Sequence, residues 1–339
     1  GVCILAVPYF TDFDTVFGLM LAHLLFFAPT MALTNSIAFA NIRDAKSDFG
    51  PVRLWGTIGW IAASVPMLLM LGAKSDKTLS MIFTVSGLAA IALGFFAFAL
   101  PKTPPSRSQE GGSFTKAIGL LAQPVMLVLF ITTFLDMIVH TGYFFFCGRL
   151  LGKLGVAENW IMPAMAVGQV AEIGTMAILG IFLKRLGWKT TMTLGILGHA
   201  VRFLVFWHAT PEMLWVVILI NVLHGICYAF FFATVFIFID EHFPKDIRNN
   251  AQSLFNVAVL GVGQLLGNYI CGQIEEQHTS TVDRSLDFPG MFKILTFMAL
   301  GTAFFFMLFF WPKSKPTDEV DREAAEVGAD PEGSHPASS

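Results

Sequence analysis

Residues Pro124 to Gly148 read PVMLVLFITTFLDMIVHTGYFFFCG, and Asp136 is the only one of them that carries a charge at neutral pH. About 20 apolar residues are enough for a helix to cross the hydrocarbon core of a bilayer. A membrane-spanning strand needs only about half that length and alternates apolar with polar residues, which this stretch does not do. The stretch therefore predicts a transmembrane helix with a carboxyl group near its middle.

Comparable apolar windows recur along the chain. The 339 residues are 55% hydrophobic and 13% charged, which is too little charge to cover a soluble globule of this length. Gly1 to Phe10 has the character of the end of a further window. The nine complete windows of roughly 20 residues are Thr15 to Asn41, Leu54 to Ala73, Thr78 to Leu100, Pro124 to Gly148, Asn159 to Leu183, Thr190 to His208, Met213 to Ile239, Asn249 to Ile274 and Phe288 to Trp311. Together they predict an all-α, polytopic membrane protein.

A polar segment separates the windows into two groups. Residues 101–123 are rich in Pro, Gly, Ser, Lys and Arg, which predicts a flexible linker. Six windows follow it, whereas three windows and the incomplete one precede it. We therefore expect two six-helix bundles, with 1–100 as the remainder of the N-terminal bundle and 124–312 as the C-terminal bundle. Because the chain begins at Gly1 without an initiator Met, we also expect it to lack about the first two and a half helices.

A weak internal repeat agrees with this division. Pro51-Val-Arg53 begins one window before the linker, and Asp246-Ile-Arg248 begins another window after it. Internal repeats are a common feature of secondary transporters, so the pattern favours that class of protein.

The placement of Lys and Arg predicts the orientation of the chain in the membrane. The alternate loops on one side hold Arg43, Lys46, Arg53, Lys102, Arg107, Lys116, Lys184, Arg185, Lys189, Lys245, Arg248, Lys313 and Lys315, and those on the other side hold Lys74, Lys77, Arg149, Lys153, Arg284 and Lys293, which is 13 against 6. Basic loops remain in the cytoplasm, so the linker and the C-terminus are expected there. Residues 313–339, rich in Asp, Glu, Pro, Gly and Ser, are expected to form a disordered cytoplasmic tail.

Two polar pairs lie inside the windows that follow the linker. Asp136 and His140 are four residues apart, and Gln169 and Glu172 are three apart, so each pair shares one face of its helix. A charged residue at the centre of a span costs about 2.5 to 3.5 kcal/mol on insertion scales and is usually functional. We expect both pairs to line a polar cavity in which Asp136 or Glu172 binds and releases a proton. The alternative is that they only join neighbouring helices.

A third polar face begins at Arg53. Thr57 and Trp60 follow at i+4 and i+7, so a guanidinium group, a hydroxyl group and an aromatic ring share one stripe of a helix. Gly56 and Gly59 are expected to allow close packing behind this stripe. Such a stripe suits a planar, polar, uncharged ligand, although membrane anchoring equally explains an Arg at the cytoplasmic end of a span.

The remaining polar residues in the windows are less specific. His224 and Tyr228, four residues apart, are expected to continue the cavity wall. Arg202 is expected to pair with a carbonyl or carboxylate group, and His23 and His199 are interpreted as ordinary interior residues. The four cysteines show no CxxC spacing and are interpreted as small core residues, so no metal or other cofactor is expected.

Several motifs together resemble the nucleoside:proton symporter family of the major facilitator superfamily. The most specific are Leu33-Thr-Asn-Ser36 and Arg53-Leu-Trp-Gly-Thr-Ile-Gly-Trp60. Others are Gln169-Val-Ala-Glu172, Val201-Arg-Phe203 and Ile247-Arg-Asn-Asn-Ala-Gln252. The resemblance covers nearly the whole chain up to the tail and implies a fold of twelve helices in two pseudo-symmetric halves.

The resemblance also implies substrate-binding residues. Arg53, Thr57 and Trp60 match fifth-helix contacts to the nucleoside, with Trp60 in place of a Phe, and Gln169 and Glu172 match an eighth-helix pair that holds the ribose. The remaining implied contacts, at positions where the family has Gln, Asn, Tyr and Phe, are His140, Tyr143, His224 and Tyr228.

Two further positions depart from the family pattern. Ala229 occupies a tenth-helix position where relatives carry an Asp implicated in proton coupling, and Lys184 stands where an Asp is usual in a cytoplasmic loop of the superfamily. We therefore hypothesise that Asp136 or Glu172 takes over the protonation step.

The expected function is uptake of nucleosides across the cytoplasmic (inner) membrane by a monomeric, multi-pass carrier that uses proton symport and alternating access. Nucleosides, protons and the lipid bilayer are the expected partners, and the net charge of −3 gives no indication of a nucleic-acid surface. A carrier for another small polar solute, such as a sugar or a nucleobase, and a fragment inactive in transport remain open. An intramembrane enzyme is disfavoured because the sequence has no HExxH or GxSxG motif.

Overall fold

The computed structural model describes residues 1–42, 51–63, 77–103, 118–119, 121–242, 251–252 and 254–312. Within these ranges the chain is helical, without strands, and has one isolated bridge between Thr279 and Leu286. Six of the helices described are long and apolar enough to cross a membrane. The predicted all-α fold is confirmed.

Among the described residues, four helices precede the linker: α1 (Val2–Ala6), α2 (Phe13–Asn41), α3 (51–63) and α4 (Lys77–Phe96). The Asp12 carboxylate caps α2 by accepting a hydrogen bond from the Thr15 backbone N–H at 2.9 Å. Helix α1 packs against α4, where Gly87 makes room for the Leu5 side chain. Helices α2 and α4 expose large apolar side chains such as Phe26 and Phe96, as expected of surfaces that face lipid.

In the part after the linker that the structure describes there are six helices: α5 (Pro124–Lys153), α6 (158–186), α7 (188–207), α8 (Pro211–His242), α9 (Leu254–Gln277) and α10 (Phe288–Phe309). Helices α6 and α7 form one helical segment, Glu158–Trp207, that is interrupted at Gly187, where φ is 72° and ψ is 177°. Glycine adopts this backbone conformation readily because it has no Cβ atom. The break agrees with the two separate windows that the sequence predicts there.

Helix α8 departs from regular α-helical geometry at two places along its length. A 3-10 turn occupies Ile220–Val222, and a π-helical turn occupies Tyr228–Ala233. The Thr234 hydroxyl donates to the Ala229 carbonyl oxygen at 3.0 Å within this wider turn. Such π turns inside helices are frequently found at functional sites, and this one begins at a residue of the predicted cavity wall.

An aromatic core holds α5, α7 and α10 together. The rings of Phe206 and Phe292 meet edge to face with centroids 5.1 Å apart, and Phe146 and Phe203 also contact Phe292. All four side chains are fully buried. This core fixes α7 beside α5, and thereby determines which polar side chains of the two helices meet.

Some sequence predictions lie outside the described residues. They include most of the linker (104–117), the tail (313–339), the end of the second window (64–73) and the Asp246-Ile-Arg248 half of the repeat.

Candidate functional site

The polar face of α3 lies against α6 and α8. The Arg53 guanidinium donates from Nη2 to the Tyr228 hydroxyl oxygen at 2.6 Å, and the Thr57 hydroxyl donates to Glu172 Oε1 at 2.8 Å. Thr57 and Glu172 are buried, whereas Arg53 and Tyr228 are half-buried. One helix from before the linker is thus hydrogen-bonded to two helices from after it, through four of the side chains that the sequence singles out.

The two glycines of α3 do not have the role expected of them. A Cβ atom at Gly56 would collide with Nη1 of Arg53, and a Cβ atom at Gly59 would have no atom within 4 Å. Gly56 therefore leaves room for the side chain of Arg53 itself. The expectation that both glycines permit close helix packing is wrong, because no neighbouring helix among the described residues approaches them.

Close helix packing occurs instead between α6 and α8. A Cβ atom at Gly168 would lie 2.8 Å from the Asn221 carbonyl oxygen, and one at Gly225 would lie 2.6 Å from the carbonyl carbon of Ala171. The two backbones are therefore in direct contact, which only glycine permits at these two positions. The contact places Glu172 of α6 against Gly225 of α8, which follows His224 in the sequence.

Aromatic and imidazole rings of α5 and α8 form a continuous wall beside this contact. The rings of His140 and His224 stack with centroids 5.1 Å apart, Tyr143 lies 4.9 Å from His224, and Tyr228 lies 6.3 Å from His140. Phe232, one turn beyond Tyr228, meets His140 edge to face at 5.1 Å. The structure thus brings together the four ring-bearing residues proposed for α5 and α8.

The two remaining proposed substrate contacts lie on the same helices, one turn from the hydrogen bonds described above. Gln169 is buried on α6, three residues before Glu172. Trp60 is half-buried on α3, three residues after Thr57. Both positions follow from helical spacing.

Asp136 lies at a seam between α5 and α7. Its Oδ2 atom is 3.7 Å from Nε2 of His199, and neither carboxyl oxygen has a hydrogen-bond partner. The Arg202 guanidinium donates from Nη2 to Nδ1 of His199 at 2.9 Å and from Nη1 to Nδ1 of His224 at 3.2 Å. Asp136 is therefore linked to the ring wall by way of His199 and Arg202, in addition to sharing a helix with His140.

Two interpretations from the sequence change as a result. The partners of Arg202 are two imidazoles, not the carbonyl or carboxylate group that was expected, and its guanidinium also lies over the Tyr143 ring at 4.0 Å. His199 is not an ordinary interior residue, because it lies between the buried acid and the buried cation. The sequence feature that indicates this pairing is the spacing of three residues between His199 and Arg202, which places both side chains on one helix face.

The positions that depart from the family pattern have different surroundings. Ala229 is fully buried in an apolar cluster with Met176, Leu179 and Phe230, and Lys184 is exposed.

The arrangement is suited to binding a ligand. It combines a cation at Arg53, a hydroxyl group at Thr57, a carboxylate at Glu172 and several ring faces, which together can hydrogen-bond hydroxyl groups and stack a flat ring. In the part of the chain that the structure describes, no group of three or more His, Cys, Asp or Glu side chains is placed to hold a metal ion.

Comparison with known proteins gives a consistent set of similarities. A family model described as Nucleoside H+ symporter matches residues 1–315. YegT of Escherichia coli (strain K12), assigned by name as a nucleoside transporter, is 33% identical over 318 residues, which are 88% of this chain and 73% of YegT. The xanthosine permease of the same organism is 27% identical over 319 residues, 88% of this chain and 75% of the permease.

The fold is similar to that of a solved transporter. A crystal structure of a point mutant of the nucleoside transporter NupG aligns with a TM-score of 0.75 at 23% identity, covering 91% of this chain and 80% of NupG. At this level of identity the likeness establishes the fold, which this chain shares with NupG.

Proposed function

The chain belongs to the nucleoside H+ symporter family, and we propose that it takes up nucleosides across the cytoplasmic membrane together with protons. The observation that carries the proposal is the pair of hydrogen bonds from α3, Arg53 to Tyr228 and Thr57 to Glu172. These hydrogen bonds join polar side chains of α3, which precedes the linker, to side chains of α6 and α8, which follow it. A site shared between two groups of helices is what a carrier with alternating access requires.

The chemistry of the site matches the two parts of a nucleoside. Glu172 and Gln169 offer acceptors and a donor for the hydroxyl groups of a ribose. The rings of Tyr228, His140 and His224 offer faces on which a planar base can stack. In this proposal Tyr143 completes the ring wall, while Arg53 and Trp60 close the α3 side.

A bound nucleoside would exchange hydrogen bonds with the protein. The Thr57 hydroxyl and Glu172 satisfy each other in this structure, as do Arg53 and Tyr228. Entry of a substrate between α3 and the helices α6 and α8 would replace these direct contacts with contacts to the substrate. Opening and closing of this seam then accompanies binding and release, as alternating access demands.

The proposal extends to the arrangement of the chain in the membrane. Residues 1–100 and 124–312 form parts of two helical bundles, 101–123 is the cytoplasmic linker, and 313–339 is a cytoplasmic tail. The basic loops support this orientation in the inner membrane. The carrier works as a monomer surrounded by lipid, and Asp136 or Glu172 accepts the coupled proton.

The direct test is counterflow of radiolabelled uridine and adenosine in proteoliposomes that contain the full chain. Both nucleosides are expected to exchange and to compete with each other. Glu172→Gln is expected to weaken nucleoside binding about ten-fold or more, since a hydrogen bond to a charged group contributes about 1.5 to 3 kcal/mol. The control is Thr175→Val on the same helix, whose hydroxyl donates to its own backbone at Ala171.

The alternative substrate classes give a different result in the same assay. If a free nucleobase or a sugar such as maltose competes as well as a nucleoside does, the carrier serves another small polar solute and the nucleoside proposal is wrong. If Glu172→Gln and Thr175→Val bind alike, the assigned site is wrong even though the substrate class stands.

A further inference from the structure

A second polar cluster lies behind the ring wall, where α5, α7 and α8 meet. Asp136, His199 and Arg202 are completely enclosed, with exposed fractions of 0%, and His140 and His224 are exposed by 5% and 1%. We propose that Asp136 binds the coupled proton, and that Arg202 transmits the charge state of Asp136 to His224 in the ring wall. This inference rests on the proposed function, and it chooses between the two acids named there.

The hydrogen-bond pattern of Arg202 fixes the state of both imidazoles. A guanidinium group has donors only, so Nδ1 of His199 and Nδ1 of His224 must both accept. Each neutral ring then carries its proton on Nε2. If His199 were protonated to an imidazolium, its Nδ1–H group would face the Nη2–H group of Arg202. The two nitrogen atoms are 2.9 Å apart, and two hydrogen-bond donors repel each other at that distance. Neither His199 nor His224 can therefore take up a proton without losing its contact with Arg202.

The surroundings of Asp136 suit a carboxyl group that binds and releases a proton. Nε2–H of His199 points toward Oδ2 from 3.7 Å, which is beyond hydrogen-bond distance, and both carboxyl oxygens lack a donor. A buried carboxylate without a donor is costly. The site is satisfied either by a proton on the carboxyl group or by a shift of His199 that closes the gap. These two arrangements differ by one charge in a region closed to water.

The charge on Asp136 bears directly on Arg202. With the carboxylate ionised, the guanidinium has a counter-charge on the far side of His199. With the carboxyl group neutral, Arg202 keeps only its two imidazole contacts and the face of Tyr143 at 4.0 Å. Arg202 donates a hydrogen bond to Nδ1 of His224, and the His224 ring stacks on His140 at 5.1 Å. A displacement of Arg202 therefore moves two residues of the ring wall.

The other titratable groups around Asp136 do not compete for this role. His140, one turn away on α5, also has an unpartnered Nδ1 atom, but its ring stacks on His224, which holds the Arg202 guanidinium, so an imidazolium there would add a second positive charge beside the first. Cys227 is a buried thiol on α8. Glu172 is on the other side of the ring wall and already accepts a hydrogen bond from Thr57. A bound cation in place of a proton is disfavoured, because the Nδ1 atoms of two of the three imidazoles are occupied by guanidinium donors.

The test compares variants of the full chain by two measurements. The first is the pH dependence of nucleoside binding and of accumulation driven by a pH gradient between about pH 5 and about pH 8. The second is infrared difference spectroscopy across the same range without nucleoside, which detects the carbonyl band of a protonated carboxyl group. The matched control is Thr191→Val, which removes a buried, unpartnered hydroxyl from the same helix as His199 and Arg202.

Asp136→Asn is expected to remove the carboxyl band, to make nucleoside binding independent of pH and to lower gradient-driven accumulation at least ten-fold. His199→Gln is expected to keep a pH dependence, because a Gln can accept from Arg202 and donate toward Asp136, whereas His199→Leu is expected to lose it. Arg202→Lys is expected to weaken the pH dependence, since one ammonium group does not reproduce the fork that spans both imidazoles. Thr191→Val is expected to behave as the native chain.

The inference is overturned if Asp136→Asn retains the native pH dependence, or if Glu172→Gln alone abolishes the carboxyl band. It is also overturned if His199→Leu couples normally, a result that remains decisive should Asp136→Asn fail to fold. If the native chain binds no nucleoside, the proposed function fails, while the infrared band and its loss in Asp136→Asn still decide whether Asp136 is the proton site.

Discussion

The contact between Thr57 and Glu172 joins residues that are 115 positions apart. The sequence identifies each of them, because a carboxylate in an apolar window is conspicuous and a hydroxyl four residues from an Arg shares its helix face. It does not identify them as partners, since that depends on how two helices are rotated against each other. His199 was missed for a related reason: a histidine in an apolar window gains a role only from neighbours on other helices.

Tyr228 separates the contribution of a ring face from that of a hydroxyl group. Tyr228→Phe keeps the ring and removes the acceptor for Arg53, so nucleoside affinity is expected to change by no more than about three-fold. Tyr228→Leu removes the ring, and affinity is expected to fall about ten-fold or more, in line with the roughly 1 to 3 kcal/mol that stacking of a base contributes. Isothermal titration of uridine against the two purified variants measures both effects. Equal losses in the two variants would show that the ring does not stack a base.

At the scale of the helices, the spans could be predicted from the sequence but their irregularities could not. The windows locate α2 and α4 to α10 to within a few residues, because about 20 apolar residues give an unambiguous signal. The π turn at Tyr228–Ala233 has no such signal, since its sequence YAFFFA is as apolar as the rest of the span. The sequence also does not show at which glycines two helices touch. Gly56 and Gly59 lie in an apolar window just as Gly168 and Gly225 do, but of the four only Gly168 and Gly225 contact another helix in the part of the chain that the structure describes.

The contact between α6 and α8 gives a prediction about stability. Gly225→Ala places a methyl group against the backbone of Ala171 and Glu172, which cannot move aside as a side chain can. We expect a loss of about 1 to 3 kcal/mol or more and weaker nucleoside binding, because Glu172 is displaced with its helix. Thermal unfolding in detergent and titration of uridine measure the two effects. Gly174→Ala on α6 is the control, since a Cβ atom there meets nothing within 4 Å, and equal behaviour of the two variants would contradict the packing argument.

At the scale of the whole chain, the proposed orientation rests on the distribution of charge, and it can be tested without any transport assay. Green fluorescent protein fused after Ser339 is expected to fluoresce, and alkaline phosphatase fused there is expected to be inactive, because the tail is proposed to be cytoplasmic. Alkaline phosphatase inserted at Thr281, in the turn between α9 and α10, is expected to be active. The opposite pattern would reverse the proposed topology.

The four cysteines of the chain have a practical consequence. Cys147, Cys227 and Cys271 are buried, and Cys3 is only half-buried. Replacing Cys3 alone would therefore give a nearly label-free background, in which pairs of introduced thiols on α3 and α10 could carry nitroxide probes. Pulsed electron resonance in lipid nanodiscs would then measure the distance between α3 and α10 as the nucleoside concentration and the pH are varied, and the proposed alternating access predicts that this distance changes.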